Sequence, residues 1–150
     1  QDGNTLVLCR FIVQLELLHG AINRDDDRKV FMVYGGTDTE DRNNIRGMVE
    51  QEENAVIVAS YGVFSQGINI KRLHNIVFGS PYKSQIRVLQ SIGRGLRTAS
   101  DKKHLQVFDI VDDLSYNNRE NFTLKHFHDR IVIYNEQEFD YDIVPVKLKH

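Results

Sequence analysis

The sequence has a single cysteine and no apolar stretch long enough to span a bilayer. Cys9 has no second thiol to pair with, which excludes an internal disulfide and favours a reducing, intracellular setting. A membrane-spanning helix needs about 20 consecutive apolar residues, and no such run occurs. The start of the chain also lacks the basic and apolar segments of a signal peptide. We therefore expect a cytoplasmic protein with no membrane partner.

Positive charge is not in excess. The 150 residues include 19 Lys and Arg against 21 Asp and Glu, which gives a formal net charge of −2. Proteins that bind nucleic acid through bulk positive charge carry a basic excess. Any contact of this chain with nucleic acid must therefore be local.

Several nucleotide and metal signatures are missing as well. The sequence has no Gly-x-x-x-x-Gly-Lys-Ser/Thr phosphate loop, and no Asp-Glu pair that ends an early buried strand and could hold Mg²⁺. The glycine fingerprint of dinucleotide-binding domains does not follow the first strand-like run. The histidines lack the spacing of metal ligands, so we expect no metal site. The isolated chain is predicted not to hydrolyse ATP.

Short aliphatic runs alternate with segments of helical periodicity. Helical spacing of apolar residues extends from residue 11 to 22, and Thr37 or Asp38 can cap a second helix that ends near Gln51. A third helix is predicted for residues 83–96. This alternation predicts right-handed crossovers and the α/β class, with an open, mainly parallel sheet and helices on both faces. The predicted strands are residues 5–9, 29–34, 55–59, 75–78 and 104–111.

The pattern changes after residue 113. Leu124, Phe127, Ile131 and Tyr134 have the spacing of an amphipathic helix. Residues 139–148 alternate like an edge strand or an arm. We therefore predict one domain over residues 1–150, with residues 114–150 as its C-terminal extension.

The sharpest motif is QSIGRGLR at residues 90–97. Arg94 and Arg97 are three residues apart, so on a helix both side chains project to one side, with Gln90 one turn before Arg94. Two guanidinium groups beside an amide suit a polyphosphate whose charge shifts during phosphoryl transfer. Gly93 is unfavourable within a helix by about 1 kcal/mol relative to alanine, which calls for a functional reason. The alternative is an ordinary solvated helix face.

This segment resembles motif VI of the superfamily 2 helicases, Gln-x-x-Gly-Arg-x-x-Arg. Residues 5–11 resemble motif IV, residues 34–37 with Arg42 resemble motif IVa, and residues 57–70 resemble motif V, all in the family's order. The similarity covers nearly the whole chain and is greatest to a recombination helicase of T-even bacteriophages. It implies the second, C-terminal RecA-like domain of a two-domain motor, whose N-terminal RecA-like domain is not in this chain.

The resemblance also implies roles for individual residues. In this family ATP binds in the cleft between the two RecA-like domains, and the N-terminal domain provides most contacts to ATP and Mg²⁺. Catalytic roles are implied for Gln90, Arg94 and Arg97. ATP-binding roles are implied for Gly67, Gly93 and Asn69, the last of which stands where many family members have aspartate. The implied activity is branch migration, unwinding or annealing of DNA in recombination and repair.

Nucleic acid in this family crosses the opposite edge of both domains and is contacted mainly along its backbone. Free backbone N–H groups at a helix N-terminus bind phosphate without a basic patch, which agrees with the net charge of this chain. Each candidate has a structural alternative: Thr37 as a helix cap, Arg10 and Arg42 as solvated charges, or Tyr61 as a packed ring. The resemblance favours DNA over RNA. The candidate nucleic-acid-binding residues are Arg10, Gly36, Thr37, Arg42, Ser60 and Tyr61.

Two other functions fit the same sequence. The chain could be a non-catalytic RecA-like module that docks nucleic acid or protein, or it could be half of an RNA helicase. Gln90, Arg94 and Arg97 argue against the docking module, because such a module does not need two convergent arginines.

Overall fold

A computed structural model of the chain describes residues 3–25, 27–65, 70, 73–80, 105–117 and 119–147. The chain divides into two compact units, Gln1–Val111 and Asp112–His150. No helix among these residues is long and apolar enough to cross a membrane.

The described part of the first unit contains a five-stranded sheet in which every strand is parallel to its neighbours. The order across the sheet is β2-β3-β1-β4-β5. This arrangement confirms the predicted α/β class and parallel sheet. The strands are β1 (Asn4–Cys9), β2 (Val30–Val33), β3 (Val56–Ser60), β4 (Leu73–Phe78) and β5 (Gln106–Asp109).

Helices connect these strands. Helix α1 (Ile12–Asp25) leads from β1 to β2, and α2 (Thr39–Gln51) returns from β2 to β3. Right-handed crossovers that run in opposite directions cover opposite faces, so α1 and α2 lie on different sides of the sheet. A short helix, α3 (Tyr61–Ser65), follows β3 directly. The helix predicted for residues 83–96 lies outside the described residues.

One part of the core of the first unit lies between α1 and the central strands. Leu15 of α1 packs in one buried cluster with Val7, Cys9, Val56 and Val58. Full burial of one aliphatic side chain of this size contributes roughly 1.5–3 kcal/mol to folding. The apolar face of α1 therefore fixes β1 and β3 relative to each other, and with them the loops at their carboxyl ends.

The second unit contains the predicted amphipathic helix, here α4 (Phe122–Glu136). The loop before α4 is closed by Asn121, whose Nδ2 donates to the carbonyl of Asp112 at 2.8 Å. Within that loop, Asp113 accepts a hydrogen bond from the backbone N–H of Ser115 at 3.0 Å. Hydrogen bonds from the Ser115 side chain and then from its backbone lower the pKa of Asp113. The carboxylate of Asp113 thus caps a turn.

The alternation at residues 139–148 left an edge strand or an arm open, and the described part, residues 139–147, does not form a strand. Residues 139–147 have no regular secondary structure and pair with no strand among the described residues. The alternation does not separate a buried face from an exposed one, because Ile143, Val144 and Val146 are all exposed. Pro145 in addition lacks the N–H group that a strand ladder needs. The segment is therefore an irregular arm.

Candidate nucleic-acid interface

The candidate nucleic-acid-binding residues follow the carboxyl ends of neighbouring strands. Arg10 follows β1, residues 34–37 follow β2, and Ser60 is the last residue of β3. Because all of these strands are parallel and adjacent in the order β2-β3-β1, their carboxyl ends meet at one edge of the sheet. In open α/β sheets, ligands bind outside this edge. The structure therefore brings the sequence candidates together.

The turn after β2 is closed by two reciprocal hydrogen bonds. The N–H of Thr37 donates to the carbonyl of Tyr34 at 2.9 Å, and the N–H of Tyr34 donates to Oγ1 of Thr37 at 3.0 Å. The cap of α2 is Asp38, which accepts a hydrogen bond from the N–H of Glu40 at 3.2 Å. Of the two predicted caps, Asp38 is therefore the correct one, and the hydroxyl of Thr37 closes the turn.

Arg42 clamps this turn onto the first turn of α2. Its Nε donates to the carbonyl of Thr37 at 2.8 Å, and its Nη2 donates to the carbonyl of Gly35 at 3.1 Å. Hydrogen bonds from a charged donor are roughly twice as strong as neutral ones. Arg42 is thus more than a solvated charge, because it fixes the backbone of the predicted nucleic-acid loop.

The N-terminus of α2 is acidic. Its cap is Asp38, and Glu40 and Asp41 stand in its first turn. These carboxylates complement the positive end of the helix dipole and oppose a second anion there. They weaken the case for phosphate binding at this helix terminus, which stays a prediction. The arginines at this edge, Arg10 and Arg42, are the cationic groups among the candidates.

Ser80 connects the ends of three strands at the same edge. Its Oγ accepts a hydrogen bond from the N–H of Arg10 at 2.8 Å, and its carbonyl accepts one from the hydroxyl of Tyr61 at 2.8 Å. The preceding residue, Gly79, donates its N–H to the carbonyl of Leu8 at 2.9 Å. Ser80 is only 5% exposed. This buried serine after β4 therefore ties together the loops that follow β1 and β3.

Nothing in the sequence alone indicates that Ser80 belongs to this site. Its sequence context, Gly79-Ser80-Pro81, indicates only a turn. Its partner Arg10 is 70 positions away, and Tyr61 is 19 positions away. Patterns among neighbouring residues in the sequence do not indicate contacts between positions so far apart.

Tyr61 is a packed ring. Only 3% of the residue is exposed, and its ring stacks on Phe78 with the centroids 6.2 Å apart. A buried ring whose hydroxyl donates to a carbonyl cannot stack on a base or contact a phosphate from outside. This corrects the prediction for the side chain of Tyr61. Ser60, which is half-buried at the end of β3, stays a candidate.

Arg10 is exposed and lies beside an exposed aromatic ring. The guanidinium carbon of Arg10 is 5.0 Å from the centroid of the Phe11 ring, which is within cation–π distance. Phe11 is 55% exposed. The backbone of Phe11 is fixed at the start of α1, because its carbonyl accepts from the N–H of Gln14 at 3.1 Å. The structure thus gives Arg10 a defined position at the sheet edge.

The predicted ATP-site residues lie outside the described residues, and their roles stay predictions. Within the described part of the chain, no group of three or more His, Cys, Asp or Glu side chains could hold a metal ion. The residues in question are Gly67, Asn69, Gln90, Gly93, Arg94 and Arg97.

Comparison with known proteins identifies the family. Residues 1–99 match the helicase conserved C-terminal domain, and the chain belongs to that family. It is 37% identical to the ATP-dependent DNA helicase UvsW of Enterobacteria phage T4 over 158 residues, which cover 99% of this chain and 31% of UvsW. The crystal structure of T4 UvsW matches with a TM-score of 0.77 at 38% identity, covering 94% of this chain and 30% of that structure. The predicted helicase resemblance is confirmed.

Two other similar proteins are connected with RNA, one through its name and the other through the RNA duplex in its structure. The chain is 31% identical to a candidate ATP-dependent RNA helicase of Acanthamoeba polyphaga mimivirus, over 73% of this chain and 20% of that protein. The second domain of the DEAD-box helicase Mss116p, bound to an RNA duplex, shares the fold with a TM-score of 0.58 at 18% identity, covering 74% of this chain and 43% of that one. The chain covers 31% of the length of UvsW and 20% of the length of the mimivirus protein, so it spans less than a third of either relative.

Proposed function

We propose that this chain is the C-terminal motor domain of an ATP-dependent DNA helicase or translocase. It pairs with an N-terminal RecA-like domain of the same protein and provides one side of the ATP site between the two domains. The observation that carries this proposal is the match of residues 1–99 to the helicase C-terminal family. The candidate nucleic-acid loops at one edge of the parallel sheet support it.

The proposed nucleic-acid track runs along the carboxyl edge of β1, β2 and β3. Arg10 contributes an exposed positive charge, and the half-buried Thr37 and Ser60 contribute hydroxyl groups. Gly36 is exposed at this turn, where a Cβ would lie 2.8 Å from the ring of Tyr34, so the missing side chain lets that ring pack against the backbone. Arg42 keeps the loop in shape through the carbonyls it binds. Contacts of this kind follow the backbone of the strand and need no overall positive charge.

The proposed ATP site uses residues of the motif VI segment. Gln90, Arg94 and Arg97 bind and orient the phosphates from the C-terminal side, with Gly67, Asn69 and Gly93 beside them. ATP would bind together with Mg²⁺, which the N-terminal domain would mainly hold. Hydrolysis of ATP would supply the free energy for movement along the strand. A guanidinium that contacts the transferring phosphoryl group stabilises charge mainly in the transition state.

We further propose that the physiological substrate is DNA, and that the activity serves branch migration, unwinding or annealing during recombination and repair in the cytoplasm of a bacterial host. Support comes from the 37% identity to a phage protein named as an ATP-dependent DNA helicase. A role on RNA is the second candidate, and the mimivirus relative favours it.

The proposed function is tested by the ATPase activity of the complete gene product that carries this chain. Turnover is measured with no nucleic acid, with single-stranded DNA, and with RNA of the same length and sequence. We expect strong stimulation by DNA and weak stimulation by RNA. Stronger stimulation by RNA would assign the chain to the RNA helicases. No ATPase activity under any condition would favour the non-catalytic docking module.

A further inference from the structure

Arg10 is held from two directions at the sheet edge. Its backbone N–H donates to Oγ of the buried Ser80 at 2.8 Å, and its guanidinium lies 5.0 Å from the centre of the Phe11 ring. The serine comes from the end of β4, whereas Phe11 begins the turn into α1. Two separate elements therefore determine where Arg10 stands.

We propose that Ser80 and Phe11 are positioning residues that preorganise Arg10 for contact with the phosphate backbone of nucleic acid. This inference rests on the proposed function, because it assumes that Arg10 lies on the track. Neither Ser80 nor Phe11 is proposed to contact the nucleic acid directly. Both act through Arg10.

The physical reason is the conformational entropy of arginine. A free arginine side chain has many rotamers, and it loses that freedom when it is fixed against a phosphate. A side chain that is already held in its bound position loses less on binding, so affinity rises without any additional contact. This matters most where positive charge is not in excess, as in a chain with 19 Lys and Arg against 21 Asp and Glu.

The two residues act on different parts of Arg10. The hydroxyl of Ser80 fixes the backbone where the chain leaves β1, and Ser80 itself is fixed because its carbonyl accepts from the buried Tyr61. The ring of Phe11 attracts the guanidinium without neutralising its charge.

A double-mutant cycle separates this role from a merely structural one. The complete gene product is compared with its Ser80→Ala, Phe11→Leu and Arg10→Ala variants and with the two doubles that include Arg10→Ala. Affinity for a fluorescein-labelled single-stranded DNA oligonucleotide is measured by anisotropy at several salt concentrations. Ser80→Thr keeps a hydroxyl, whereas Ser115→Ala and Phe122→Leu are matched substitutions at exposed positions of the second unit.

We expect Arg10→Ala to weaken binding and to reduce the slope of log affinity against log salt by about 1, the effect of one lost phosphate contact. Ser80→Ala and Phe11→Leu should each weaken binding about two- to tenfold, the range of a single hydrogen bond or cation–π contact. Neither should weaken it further in the Arg10→Ala background. Ser80→Thr should restore most of the affinity, and the two matched controls should bind like the unmodified protein.

Three results would overturn the inference. Ser80→Ala or Phe11→Leu could cause the same loss with and without Arg10, which would mean a direct contact or a general loss of structure. Alternatively, Ser80→Ala and Phe11→Leu could both leave binding unchanged although Arg10→Ala weakens it. This result would overturn the positioning roles but leave the proposed track intact. An Arg10→Ala variant with unchanged affinity and salt slope would instead remove Arg10 from the track. Thermal melts identify any variant that does not fold, and Phe11→Leu at its exposed position then carries the test alone.

Discussion

The turn after β2 and the cluster around Ser80 lie at the same edge of the sheet, but they are held together in different ways. The turn is closed by contacts between residues three to seven positions apart, including those of Arg42. The cluster joins Ser80 to Tyr61, 19 positions away, and to Arg10, 70 positions away. Local contacts can open by themselves, whereas the cluster can open only when the strands it joins separate. The turn is therefore the adaptable part of the proposed track, and the cluster is its fixed part.

Among substitutions in these two regions, Tyr61→Ala is expected to lower the free energy of unfolding most. Removal of a buried aromatic ring costs about 3–5 kcal/mol of unfolding free energy, because the cavity beside Phe78 cannot close completely. Tyr61→Phe removes only the hydroxyl that donates to Ser80 and should cost about 1 kcal/mol. Urea denaturation measures both. Tyr116→Ala, at a position that is 78% exposed, is the matched control and should change stability by less than about 0.5 kcal/mol. A Tyr61→Ala variant as stable as this control would show that the cluster is not part of the core.

A smaller loss is expected from Gly79→Ala, where β4 passes close to β1. A Cβ at Gly79 would lie 2.8 Å from Sγ of Cys9 and 3.4 Å from the carbonyl oxygen of Leu8. Overpacking of this kind costs typically about 1–3 kcal/mol. Cys9→Ala should recover part of that loss in the double variant, since it removes the nearest atom.

The glycine of helix α2 provides the control for this substitution. A Cβ at Gly47 would meet no atom within 4 Å, so Gly47→Ala should raise the unfolding free energy by about 0.5–1 kcal/mol. Thermal or urea unfolding of Gly79→Ala, of the double variant with Cys9→Ala and of Gly47→Ala gives the comparison. Equal stability of Gly79→Ala and Gly47→Ala would contradict the close approach of β4 to β1.

The turn after β2 should respond locally to Arg42→Ala. Loss of the two hydrogen bonds to the carbonyls of Thr37 and Gly35 should speed amide exchange of the Thr37 N–H by about tenfold. Exchange of the Gly79 N–H, which donates to Leu8 in the long-range cluster, should stay unchanged. Arg42→Lys keeps the charge but not the planar pair of donors, so it should restore little protection. Equal acceleration at both amides would show that the two regions open together.

The smallest expected effect is the pH dependence of stability that comes from the thiol of Cys9. Burial raises the pKa of Cys9 from its ordinary value of 9.0 to about 11. The folded state therefore holds the thiol proton more tightly than the unfolded state, and this contribution to stability is complete below pH 9 and is lost as pH rises through 11. At pH 8 the native thiol should react with iodoacetamide only slowly, and it should react quickly in denaturant. Rapid labelling of the native protein would contradict the burial of Cys9.

The sequence predicted the features that depend on local patterns. Aliphatic runs identified the parallel strands, since strands buried on both faces need no polar positions. The helix predicted for residues 11–22 was found in the same way, because its apolar spacing is also a local pattern.

Features that depend on distant partners could not be predicted in this way. Ser80 was missed because its hydroxyl binds a backbone N–H contributed by another strand. Alternation at residues 139–148 left an edge strand and an arm open, because alternation does not show whether a neighbouring strand is available.

The ATPase activity of the complete gene product with single-stranded DNA tests most directly whether the chain is one half of an ATP-driven motor. Arg97→Ala, Arg97→Lys and Arg94→Ala are compared with the unmodified protein, and thermal melts confirm that each variant is folded. An arginine that contacts the transferring phosphoryl group is worth about 10³–10⁵ in rate, and lysine lacks its planar pair of donors. We predict a large fall in turnover with little change in ATP affinity, and no rescue by lysine. Folded variants that all turn over ATP within a few-fold of the unmodified protein would contradict the assignment of these arginines and the motor function proposed from them.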